Sequence, residues 1–153
     1  MFGSIAIVAL TILTAVIGGL VTSKGLGWYS HIKKPSWTPP GSTIGKVWTV
    51  IYTLAALSAI IAYNTVAGDI LAWVMLWFFI NAILNAAWSG LFFGFKLKGA
   101  AVIDSILLEC SILILMWLLW HAAPIAAALL IPYAAWVCFA TYLTYTVREM
   151  NRR

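Results

Sequence analysis

Two acids, two histidines and a set of tryptophans are the residues that could do chemistry in this chain. Asp104 and Glu109 lie inside an apolar run, where an ionisable group costs free energy and marks a candidate proton or ion site unless neighbouring helices bond it. Their spacing of five turns them about 140° apart on a helix, so they are not a paired acid and base on one face. His31 and His121 fall at opposite ends of the apolar segments and cannot share a metal, so no metal-ligating set is expected. No CxxC, HExxH, GxSxG or phosphate loop occurs. Chemistry would therefore have to come from ring surfaces and a few amides.

Nine tryptophans are present. Trp73, Trp77, Trp117 and Trp120 open or close apolar runs and read as an interfacial belt. Trp136 sits mid-run, where a belt residue has the wrong depth and its indole N–H needs a partner. Tyr133, Trp136, Ala140 and Thr144 form one helical stripe; Trp48, Tyr52, Ala55, Ala59 and Tyr63 form another. Rings interleaved with small residues on two helices could enclose a slot, or could be ordinary packing. Asn81, Asn85, Trp88 and Phe92 share a third face, its amides needing a ligand or a neighbouring helix. Roughly opposite them, Ala82, Ala86, Gly90 and Gly94 make a small-residue ladder suited to close helix contact or a homodimer interface.

The elements that must carry these residues follow from composition. The chain has 153 residues, 64% hydrophobic and 8% charged, against about 25% charged in soluble domains. Five apolar runs, near 5–22, 43–66, 70–94, 99–121 and 124–147, approach the roughly 20 residues a membrane-crossing helix needs. The fold class is all-α, a five-transmembrane-helix bundle forming one integral membrane domain over 1–153. Five spans put Lys24, Lys33, Lys34, Lys46, Lys96, Lys98, Arg148, Arg152 and Arg153 on one side, and Asp69 and His121 on the other. Lys and Arg collect on cytoplasmic ends, so the N-terminus is expected outside and the C-terminus in the cytoplasm. The net charge of +5 then reads as topology and attraction to anionic membrane lipid; nucleic acid is the poorer reading, because no basic run exceeds two residues. The first run lacks a basic leader region and is expected to stay as a structural helix. Cys110 and Cys138 fall within helices as small apolar residues.

The connector Ser23 to Ser42 is the one long loop in this reading. Pro39-Pro40 forbids helix continuation, while Trp28, Tyr29 and Trp37 carry apolar surface a solvated loop would not hold. It is expected to fold over the cytoplasmic mouth as a lid. A kink is expected at Pro132, whose ring crowds the Ala128 carbonyl.

"KPSWTPPG", "VWTVIYTLAALSA", "NAAWSGLFFG" and "LIPYAAWVCFATYLTY", in this order, closely resemble the translocator protein family, also called tryptophan-rich sensory proteins or peripheral benzodiazepine receptors. The resemblance implies a five-helix bundle, commonly a homodimer, that binds protoporphyrin IX, haem, sterols and benzodiazepine-type ligands in a pocket opening toward the first loop, with no cofactor required. Carried over by motif, the pocket residues are Tyr29, Trp37, Trp48, Tyr52, Asn85, Trp88, Trp136 and Ala140. Trp48 and Trp136 match positions associated with light-dependent porphyrin breakdown. A loose sterol motif is met by Leu143, Tyr145 and Arg148, although Thr144 stands where the family has Asn and weakens that assignment; a bacterial cell membrane, the expected location, generally lacks cholesterol. Lys33, Lys34 and Lys46 are candidates to pair with propionates. The expected function is a membrane receptor or carrier for tetrapyrroles. The alternatives are a membrane enzyme converting porphyrin and a small proton-coupled exporter using Asp104 and Glu109.

Overall fold

The computed structural model describes residues 2–152, and among them every regular element is helical. These are α1 (Phe2–His31), α2 (Gly41–Thr65), α3 (Asp69–Ser89, continued by a π-helical turn Gly90–Gly94), α4 (Lys98–Leu119), α5 (Pro124–Leu129) and α6 (Ile131–Met150). Five helices, α5 and α6 counting as one, are long and apolar enough to cross a membrane.

Three local features were not part of the sequence expectation. First, α1 runs nine residues beyond 22, so Trp28 and Tyr29 are helical and the connector shrinks to residues 32–40. Gly25, in the added length, is a contact point. A Cβ on Gly25 would lie 2.7 Å from Phe93 Cβ and 2.9 Å from the Phe93 carbonyl oxygen, so packing against the π turn outweighs the glycine's low helix propensity. Lys34 then closes the helix, its Nζ donating to the Tyr29 and Ile32 carbonyls at 2.6 and 3.1 Å, which satisfies acceptors that a helix end leaves open.

Second, the last span is two helices joined at Leu130, where the Leu130 N–H donates to Ala127 O at 3.1 Å in a tightened turn. Pro132 occupies the first turn of α6, the position where its missing N–H costs nothing. Third, α3 ends in five π-helical residues, with the Phe95 N–H reaching back to Gly90 O at 2.8 Å. Lys96 follows in the left-handed region, φ 60°, and turns the chain into α4.

The helices close a ring in the order α1, α2, α5/α6, α4, α3 and back to α1. Its centre is Val74, Ile112, Leu115, Leu119, Leu130 and Val137, each at most 1% exposed. In lipid such contacts hold through shape and dispersion rather than exclusion of water. Trp73, Trp117 and Trp120 project from the surface, whereas Trp77 packs on the core.

The described basic residues other than Lys24 sit in or beside the elements at one end of the bundle, where Lys96 and Lys98 lie 6.0 and 5.6 Å from the Trp28 ring. Lys24 lies within α1, and Arg153, grouped with them in the sequence reading, is outside the described residues. The connector is held against α6. Trp37 stacks on Tyr142 at 5.5 Å with planes 10° apart and meets Phe139 edge-on at 5.8 Å. Asn151 takes the Lys33 N–H at 3.0 Å and donates to the Lys33 carbonyl at 2.8 Å. Within the chain, the small-residue ladder of α3 is contacted at its end, where a Cβ on Gly94 would be 3.6 Å from Val21; Ala82 lines a cavity, and a Cβ on Gly90 would meet nothing within 4 Å.

Candidate functional site

A line of side-chain hydrogen bonds crosses the bundle interior. The Tyr52 hydroxyl donates to Asn85 Oδ1 (2.6 Å), Asn85 Nδ2 to the Tyr133 hydroxyl (2.8 Å), Tyr133 to Asn81 Oδ1 (3.1 Å), and Asn81 Nδ2 to Ser111 Oγ (2.8 Å). Ser111 donates to its own helix at Leu108 O, 2.7 Å away. That last bond sets the direction of the whole series. Because the Ser111 proton is spent on a carbonyl, its oxygen must accept from Asn81, and each amide upstream is thereby oriented. Four helices, α2, α3, α4 and α6, are joined by it.

Two spaces adjoin this line. A cavity of about 340 Å³ lies between α1, α2 and α3 in the half of the bundle that carries Asp69 and His121. Its apolar walls include Leu10, Ala55, Ala59 and Phe78, and Tyr52, Asn81, Asn85 and Tyr133 supply its polar end. A second, more open space of about 510 Å³ is a groove between α2 and α6, bounded by Lys46, Val47, Val50, Ile51, Pro132, Ala135 and Trp136. Trp136 is half-buried there, and its Nε1 is enclosed with no hydrogen-bond partner among the described residues.

The eight pocket residues named from the sequence fall into separate neighbourhoods. Trp48 and Tyr52 are ring neighbours at 5.5 Å, Trp48 meets Tyr133 edge-on at 6.1 Å, and Asn85 completes this group. Tyr29 and Trp88 belong to a second cluster built on Phe92 and Phe93, where Trp88 stacks on Phe92 at 5.1 Å and Tyr29 meets Phe93 at 5.5 Å. Trp37 and Trp136 flank Phe139 at 5.8 and 5.3 Å. Ala140, half-buried one residue on, accepts the Thr144 hydroxyl at 2.7 Å. Of the eight, Tyr52 and Asn85 line the α1–α2–α3 cavity and Trp136 lines the groove. Of the sterol motif, Leu143 packs beside Phe92 and Val147, Tyr145 is exposed, and Arg148 pairs with Glu149 at 3.2 Å.

Tyr133 and Ser111 were missing from the sequence assignment. Tyr133 is 4% exposed and accepts and donates at the centre of the line; its place on the Trp136 stripe was the available signal. Ser111 offered only its polarity in an apolar helix. Asp104 and Glu109 line neither space; each keeps one buried oxygen with no partner among the described residues.

The sequence of the chain, compared with known families, matches the TspO/MBR family over residues 6–150. The chain belongs to the TspO/MBR family. Its similarity to the tryptophan-rich protein TspO of Bacillus cereus is 40% identity over 124 residues, covering 81% of this chain and 80% of that one. An uncharacterized membrane protein, YtaB, of Bacillus subtilis is 34% identical over 151 residues, 97% of this chain and 96% of its own. The translocator protein of Homo sapiens is 34% identical over 133 residues, 86% of this chain and 79% of its own. Family membership and the five apolar helices together make this an integral membrane protein. The TspO/MBR match covers the residues that line the cavity and the groove apart from Gly3.

Proposed function

We propose that this TspO/MBR protein is a receptor or carrier for a flat, apolar, carboxylate-bearing macrocycle of the tetrapyrrole class, protoporphyrin IX or haem, held against the α2–α6 groove. The observation that carries this reading is the apolar groove wall that holds the half-buried Trp136 ring and has Lys46 at its edge. A bound macrocycle would stack on the accessible part of the Trp136 ring and place a propionate near the lysine, the arrangement of burial with a few orienting polar groups that small-molecule sites use. Lys34 is a weaker propionate partner, because its ammonium is already spent on the end of α1.

Purified protein titrated with protoporphyrin IX in the dark, followed by tryptophan fluorescence and porphyrin absorbance, tests this. Trp136→Phe and Lys46→Gln should each weaken binding by roughly tenfold, the effect of losing about 1.4 kcal/mol. Unchanged affinity in both variants would overturn the assignment. A second reading, light-driven oxidation of the bound macrocycle, is supported by the run of rings Trp136, Phe139, Trp37, Tyr142, whose centroids are 5.3, 5.8 and 5.5 Å apart. In it the excited macrocycle, stacked on Trp136, gives one electron to dioxygen, and the macrocycle radical cation and superoxide so formed combine to an oxygen adduct of the macrocycle, dioxygen being the oxidant consumed. Loss of porphyrin absorbance under light and air, absent in Trp136→Phe, would support it.

A further inference from the structure

We infer that the turn between α3 and α4, together with Trp28 of α1, binds the headgroup of an anionic membrane phospholipid, apart from both the cavity and the groove. Residues 95–98 alternate in kind. Phe95 and Leu97 are 74% and 53% exposed, while Lys96 and Lys98 bring their ammonium groups to 6.0 and 5.6 Å from the centroid of one ring, that of Trp28. Trp28 is itself fixed by an edge-on contact with Phe92 at 5.6 Å.

Two like charges gathered on one ring repel each other, and the chain supplies nothing to offset them. Neither ammonium has an ion-pair partner among the described residues, and the first turn of α4 carries no acid. Glu149, at the end of α6, is taken by Arg148 and Arg152 at 3.2 and 2.9 Å. Arg148 brings further positive charge, its Nε lying 3.5 Å from where a Cβ on Gly99 would stand.

The backbone gives an independent reason. Lys96 has φ 60°, in the left-handed region that is costly for a residue with a Cβ and that glycine or asparagine ordinarily fills. In return its ammonium gains from the chain a cation–π contact at 6.0 Å, the outer limit of such contacts. An anion between the two ammoniums supplies what the turn lacks. A phosphodiester carries one negative charge and acceptor oxygens for both lysines. The attached acyl chains would cover Phe95 and Leu97, apolar surface that a free phosphate ion leaves in water. The lysines also stand at the basic end of the bundle, where juxtamembrane cations meet anionic headgroups.

The test titrates the full chain in detergent with phosphatidylglycerol and counts the retained lipids by native mass spectrometry. One phosphatidylglycerol should be held in preference to phosphatidylcholine. Lys96→Gln and Lys98→Gln should each weaken that binding roughly fivefold, and the double variant Lys96→Arg/Lys98→Arg should keep it. Lys24→Gln and Lys33→Gln, which remove the same charge elsewhere, should leave it unchanged. Inorganic phosphate and glycerophosphoglycerol, the headgroup without chains, should fail to compete. Lys96→Gly should weaken binding as Lys96→Gln does, yet unfold without lipid at no lower a temperature than the parent, because glycine relieves the turn. A lower unfolding temperature would show that the lysine serves the turn itself. Equal losses from Lys24→Gln or Lys33→Gln would reduce the effect to diffuse attraction, and competition by inorganic phosphate would make this a plain anion site. Any of these, or equal retention of phosphatidylcholine, overturns the proposal.

Discussion

Asn85 is the residue on which the interior depends most, because it accepts from one tyrosine and donates to another. Interhelical hydrogen bonds in bilayers average about 0.6 kcal/mol, but a buried group left without a partner costs about 1–3 kcal/mol. Asn85→Leu should therefore lower stability by about 1–3 kcal/mol, and the added cost of Tyr133→Phe should be smaller in that background than alone, because the bond between them is already gone. Denaturant titration of the four proteins checks it; additive losses would show that the two side chains act independently. The stripe carrying Asn81 and Asn85 was legible from spacing. Which groups they would meet was not, since Tyr133 and Ser111 lie 48 and 30 residues from Asn85 and Asn81 along the chain.

Helix α1 illustrates why an element can be recognised and its end misplaced. Lys24-Gly25-Leu26-Gly27 reads locally as a breaker, yet Gly25 is buried against Phe93 and Gly18 against Ser89, where a Cβ would approach Oγ to 3.3 Å. Glycine here serves proximity between helices, and only the partner's position reveals that. Gly25→Ala should destabilise by about 1–3 kcal/mol, because the nearest obstacles include backbone that cannot swing away. Gly19→Ala, with nothing within 4 Å of the new methyl group, should be neutral or gain up to about 1 kcal/mol from helix propensity. Thermal unfolding of both variants reads the difference in sign.

For the whole molecule, helix number and the gathering of basic residues were legible in hydropathy and charge, while the cyclic order of helices was not, because all five are apolar around much of their circumference and lack a strong single-sided pattern. The ring order decides that α1 and α3 bound the cavity and that α2 and α6 bound the groove. The collection of Lys and Arg on cytoplasmic ends predicts that a cysteine placed at Asp69 in a background lacking Cys110 and Cys138 should react with a membrane-impermeant maleimide on intact cells, and that one placed at Lys98 should react only after permeabilisation. The reverse pattern would invert the bundle.

The clasp between Asn151 and the Lys33 backbone joins positions 118 residues apart. During synthesis the first helix is inserted long before that asparagine leaves the ribosome, so the barrel of helices stays unlatched until the final turn is made. Asn151→Ala would remove both bonds of the latch and leave every span present, so that the last contact of assembly is the one lost.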